Sequence, residues 1–265
     1  MSAPNWSYTG CIPVCSPLKF RSSRSWIGTG DVVSVLDRLK GKLVVSCQPV
    51  VGGPMDRTDI VVAFALAAEA GGAAGLRIEG VERVRAVRAA TRLPIIGLVK
   101  RIDPSTPIII TPTRADVDAL AEAGADIIAF DATDRIRPEP VTALAERVHR
   151  DGRIAMADIA TRAQAYGARE AGCDIIGTTL SGYADGPVPE DPDIALVETC
   201  SGMGVPIFAE GRYRTVGEVE AARRAGAWSV VVGSAVTRPE HITAWLAKAV
   251  EGAEEPAAAQ PSGRG

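Results

Sequence analysis

A (β/α)₈ TIM barrel is the fold this sequence predicts. Three observations predict it: eight short β-branched runs, a helical pattern after nearly every one, and a recurring Gly where several of those helical segments close. The first run, LVVSCQ (43–48), and the second, GLRIEG (75–80), turn polar towards their ends. PIIGLVK (94–100) ends on Lys100 and leads towards RADVDALAEAG, whose apolar residues recur at three- and four-residue spacing. DIIAFDAT (126–133) and RIAMADI (153–159) follow, the latter leading into TRAQAYGAREAG. DIIGTTL (174–180), PIFAEG (206–211) and SVVVGSAV (229–236) complete the set, with TVGEVEAARRAG between the last two. Three helical segments end alike, in Glu122-Ala-Gly-Ala-Asp126, Glu170-Ala-Gly-Cys-Asp174 and Arg224-Ala-Gly-Ala-Trp228, where a left-handed Gly stops a helix before the next strand. An open doubly wound sheet shows the same alternation. No G-x-G-x-x-G follows the first strand, however, and the count of eight favours closure.

A chain of 265 residues, 46% hydrophobic and with net charge −3, has the material for one large core and lacks the basic footprint of a nucleic-acid binder. No run approaches the length of a membrane span. The two histidines, His149 and His241, lie far apart, and the five cysteines form no close zinc-like set, so no metal site is expected. Scattered cysteines in an odd number fit a reduced, cytoplasmic protein. Residues 1–30 read as an irregular N-terminal extension, 31–252 as the barrel, and 253–265 as a disordered C-terminal tail.

In such barrels chemistry collects at the C-terminal ends of the strands. Those ends carry Gln48, Arg77, Glu79, Lys100, Arg101, Asp131, Asp158, Thr178, Thr179, Ser181, Glu210 and Arg212. One polar strand end means little, but the same pattern repeated around a ring points to a site. Gly233 and Ser234 sit between an apolar strand and a helix beginning near Pro239, where backbone N–H groups face an anion, and Arg212 reaches the same region. Cys47 reads as barrel-wall packing. Asp158 equally suits a cap for the helix starting near Thr161. Asp131 equally suits a structural acceptor, and Arg135 and Arg137 read as surface or helix-entry charges. For Arg238, contact with an anion and contact with a partner subunit both stay open.

The stretches VSCQP (45–49), GLRIEG (75–80), PIIGLVKR (94–101), ITPT (110–113), FDATDRIRP (130–138), MADI (156–159), TTLSGY (178–183), AEGR (209–212) and VGSAVTRPEHIT (232–243) resemble the N-acylglucosamine-6-phosphate 2-epimerase family. That family is also called N-acetylmannosamine-6-phosphate 2-epimerase. The resemblance runs from about Leu39 to Trp245. It implies an isomerase that inverts C2 of N-acetylmannosamine 6-phosphate to give N-acetylglucosamine 6-phosphate in sialic acid catabolism. It also implies a (β/α)₈ barrel, no organic cofactor and a homodimer.

Carried over position by position, the resemblance makes Lys100 and Glu210 the catalytic pair. It places Gln48, Arg77, Asp158 and Arg212 on the sugar, its acyl group or the phosphate, with Gly211 beside them and Gly233 and Ser234 at the phosphate turn. These residue types suit proton removal next to a carbonyl and proton return on the other face, through an enolate that needs positive charge nearby. Which member of the pair is the base stays open. Ile109, Ser234 and Ala184 depart from the family pattern and leave a shifted sugar or acyl preference open. The loop from Ser181 to Pro192 is long enough for a lid and equally suits an inert turn. A Schiff-base lysine lyase and a non-catalytic phosphosugar-binding barrel are the alternative readings.

Overall fold

Eight parallel strands close into one barrel in sequence order: β1 (Leu43–Cys47), β2 (Gly75–Glu79), β3 (Ile95–Leu98), β4 (Ile127–Asp131), β5 (Ile154–Asp158), β6 (Ile175–Gly177), β7 (Ile207–Glu210) and β8 (Ser229–Val232). The structure is a computed structural model and describes residues 35–183 and 187–252. The expected N-terminal extension and C-terminal tail lie outside the described residues, as does Ala184. The ring closes where β1 meets β8, with Val44 beside Val231.

Seven helices pack outside the barrel: α1 (Thr58–Ala70), α2 (Val81–Ala90), α3 (Arg114–Glu122), α4 (Val141–Arg150), α5 (Arg162–Glu170), α6 (Ile194–Cys200) and α7 (Val216–Arg224). After β8 come the short α8 (Ser234–Thr237) and then α9 (Pro239–Glu251). α9 starts at Pro239, where a helix was expected, and the short α8 precedes it from Ser234. Thr113, Thr161 and Thr215 cap α3, α5 and α7, each in a capping box with the residue three places on. Gly124, Gly172 and Gly226 hold φ of 94°, 90° and 100° just past those helices, a region a Cβ disfavours.

Side chains alternate across each strand, and this alternation separates two cores. Cys47, Leu76, Ile78, Ile128 and Phe130 face outward into the layer beneath the helices. Val44, Ile96, Leu98, Ile127, Ala129, Ile154, Met156, Ile175, Phe208 and Val231 face inward and fill the barrel. Leu39, fully buried, joins that inner cluster with Leu36 and Trp228 packed around it and closes the N-terminal end of the barrel. The Trp228 indole N–H donates to the carbonyl of Leu36 at 3.0 Å, and Lys40 lies over its ring.

Candidate active site

The period-two alternation that fills the barrel also delivers polar residues to its mouth. Two residues beyond inward Leu98 comes Lys100; beyond Ala129, Asp131; beyond Phe208, Glu210; beyond Val231, Gly233. All four line one cavity of about 780 Å³ at the C-terminal end of the strands. β3 and β7 stand four strands apart in the ring of eight, so Lys100 and Glu210 approach from opposite walls. Gln48, Arg77, Gly211, Arg212, Ser234 and Ile109 line the same cavity.

Lys100 is set by the segment that follows β3. This segment folds back as an antiparallel pairing of Lys100 with Ile110, with the N–H of Arg101 donating to Ile109 and that of Thr111 to Val99. Thr111 turns the chain at φ 45°, and its hydroxyl, held on the carbonyl of Ala129 at 2.7 Å, stabilises that turn. The backbone of Glu210 is fixed by one hydroxyl. Thr178 Oγ1 accepts from the Glu210 N–H at 3.1 Å and donates to the Glu210 carbonyl at 3.0 Å.

Beneath the cavity, Arg77 reaches from β2 across the barrel. It donates to Asp158 at 3.2 Å and 2.7 Å in a two-pronged ion pair, and through Nη1 to Glu210 Oε2. Asp158 is fully buried, and its Oδ1 also accepts from Thr179 Oγ1 at 2.7 Å. Gly177 leaves room for this cluster. A Cβ there would lie 2.5 Å from Met156 Cε, 3.0 Å from Asp158 Oδ1 and 3.1 Å from Thr179 Oγ1.

These contacts set the charges. Burial raises Glu210 to about 7, against the pull of the Arg77 guanidinium, which favours the carboxylate. Burial of the amine within the mouth lowers Lys100, although its tip reaches water in the open cavity. The Glu79 carboxylate opposes that shift most strongly. For Arg77 burial works against the cation, and the carboxylates of Asp158 and Glu210 outweigh it, so its pKa stands above the ordinary value. Burial thus draws Glu210 and Lys100 alike towards neutrality.

Expectations change at Asp158 and Arg135, and Arg212 shows further contacts. Asp158 neither lines the cavity nor caps a helix; Thr161 caps α5, and Asp158 lies under the floor with both oxygens engaged, holding Arg77. Arg212 lines the cavity at φ 64°, but it donates to the carbonyls of Asp191 and Ser181 and lies over the ring of Tyr183, tying down the loop after β6. Arg135 also lines the cavity, in an ion pair with buried Asp131, where a surface or helix-entry charge was expected. Arg238 lines it next to Gly233, its Nε donating to the Gln48 carbonyl at 2.7 Å. Arg214, His241 and Trp245 complete that side. They come from loop and helix positions where no strand periodicity announces a direction. Cys47 packs in the wall as expected, with burial pushing its thiol up to about 12.

A family model described as "Putative N-acetylmannosamine-6-phosphate epimerase" matches residues 61–252. The "Bifunctional enzyme NanE/NanK" of Brucella melitensis is 55% identical over 228 residues, 86% of this chain and 44% of its own length, so this chain spans less than half of that relative. The "Putative N-acetylmannosamine-6-phosphate 2-epimerase" of Escherichia coli K12 is 52% identical over 211 residues, covering 80% of this chain and 92% of its own. Among solved structures, the N-acetylmannosamine-6-phosphate 2-epimerase of Clostridium perfringens superposes with a TM-score of 0.78 at 40% identity, over 81% of this chain and 95% of that one. A thiamine phosphate pyrophosphorylase from Pyrococcus furiosus, at 18% identity and TM-score 0.52, shares the fold alone. On the family match, these identities and the closed barrel together, this chain belongs to the N-acetylmannosamine-6-phosphate epimerase family.

Proposed function

We propose that this chain is an isomerase that interconverts N-acetylmannosamine 6-phosphate and N-acetylglucosamine 6-phosphate by inverting C2, in sialic acid catabolism. One observation carries the reading: Lys100 and Glu210 face a single cavity from opposite walls, as proton removal from one face of a carbon and return to the other require. In the open-chain sugar, the base takes the C2 proton, the C–H electron pair forms the C1–C2 double bond, and the C1 carbonyl becomes an enolate oxygen. The opposite group then protonates C2, and the carbonyl re-forms. Lys100 and Glu210 end with exchanged protonation, which solvent resets. The roles exchange with the direction of reaction. The fixed charge of Arg77 at the floor stabilises the enolate.

The phosphate is assigned to the Gly233–Ser234 turn. Its support is the place of Gly233 and Ser234 on the cavity wall at the start of α8 and the adjacent Arg238 guanidinium; the Val236 and Thr237 N–H groups are already held on the Gly233 carbonyl. Gln48, anchored on Ser46 at 2.8 Å, supplies a polar edge for the sugar. A homodimer is part of the proposal, supported by Leu246 and Val250, which stand 63% and 77% exposed on α9. A reducing cytoplasm is supported by the free buried thiols of Cys47, Cys173 and Cys200. No helix among the described residues is long and apolar enough to cross a membrane.

The test is proton NMR with N-acetylmannosamine 6-phosphate in D₂O. The expected result is appearance of the second epimer with loss of the C2 proton signal, and absence of both for Lys100→Met. Full C2 exchange in that variant would remove Lys100 from the mechanism.

A further inference from the structure

Glu210 has two threonine neighbours from the end of β6, and they act on different parts of it. Thr178 holds its backbone, as described above. Thr179 Oγ1 lies 2.7 Å from Asp158 Oδ1 and 3.3 Å from Glu210 Oε2, with Arg77 Nη1 at 3.4 Å. A hydroxyl has one hydrogen to give, so it can serve one of these carboxylates at a time. The distances assign it to Asp158 in the state shown. Asp158 keeps two guanidinium N–H donors whichever way the hydroxyl turns, whereas Glu210 Oε2 has one. When Glu210 ionises, new negative charge appears on the carboxylate with fewer donors, and rotation about the Cβ–Oγ bond brings it a second. No bond is made or broken in the swing.

We propose that Thr179 is a positioning residue for Glu210, its hydroxyl hydrogen turning from Asp158 to Glu210 each time Glu210 gives up its proton. The role of Glu210 as a proton carrier rests on the function proposed above; the swing itself does not. Thr179 also lines the cavity, so the switch sits where a bound ligand would press on it. A hydrogen bond to the ionised form favours that form, the direction in which the Thr179 contact acts on Glu210.

The test is titration of the Glu210 carboxyl in ligand-free protein by difference infrared spectroscopy, its band identified by loss in Glu210→Gln. Thr179→Val keeps the shape and removes the hydroxyl; Thr179→Ser keeps the hydroxyl. The expected result is a midpoint about one pH unit higher in Thr179→Val, with Thr179→Ser close to the parent. Thr179→Ala serves the same comparison should the Val variant not fold. An unmoved midpoint in the hydroxyl-free variant, or an equal rise in the Ser variant, overturns the proposal. Should the midpoint move while the pH profile of turnover stays put, the swing stands and the proton-carrying role of Glu210 fails.

Discussion

Arg77 grips Asp158 with both terminal nitrogens, at 3.2 Å and 2.7 Å, while the same guanidinium touches Glu210 from beneath. Removing the cation alone leaves Asp158 as an uncompensated buried charge. Arg77→Met is therefore expected to destabilise the fold by about 3–5 kcal/mol in urea unfolding, and Arg77→Met/Asp158→Leu to regain part of that loss. Activity is expected to vanish in both. A single Arg77→Met variant as stable as the parent would contradict the buried pair.

Glu210 makes stability depend on pH in the ligand-free protein. Its folded pKa, about 7, lies above the ordinary value of 4.5, because burial penalises the anion more than Arg77 favours it. Between those values the folded chain binds more protons than the unfolded one, so this contribution falls as pH rises through the window and is constant above it. The loss amounts to up to about 3 kcal/mol. Denaturant midpoints at either end of the window measure it. Glu210→Gln should flatten the slope, and an unchanged slope would place the titration elsewhere.

Turnover should follow a bell. Glu210 ionises near pH 7 on the rising side, and Lys100 loses its proton on the falling side, below its ordinary value because it is buried. Glu79 is the charge that most favours the ammonium. Glu79→Gln is accordingly expected to move the alkaline limb of kcat/KM to lower pH and leave the other limb in place. Movement in the opposite direction would rule out that electrostatic link.

Gly177→Ala tests the packing beneath the cavity. Its methyl would meet Met156, Asp158 and Thr179 at 2.5–3.1 Å, and the last two hydrogen-bond with Arg77 beneath Glu210. A loss of about 1–3 kcal/mol in stability is expected, with a fall in kcat larger than any change in KM. Parent-like kinetics would mean the floor yields without disturbing Glu210.

The ring of strands was readable because alternating helix and strand patterns repeat eight times, with Gly124, Gly172 and Gly226 marking the turns. The directions of Lys100 and Glu210 were readable as well, since each continues a run of inward apolar residues by two. Depth was not readable. Asp131 and Asp158 end neighbouring strands and pair in register, yet one lines the cavity and the other lies under its floor. Nor does sequence reveal what a long side chain grips: Arg212 ties down a loop, while Arg135 and Arg238 turn inward from segments with no periodic face.

Because Leu39 and Trp228 pack into the far end of the cylinder and Arg77 spans its middle, the cavity opens, among the described residues, at the C-terminal mouth of the strands. In the reaction proposed above, substrate and product would share that mouth, so each would obstruct the other and net flux would follow whichever sugar is drained outside.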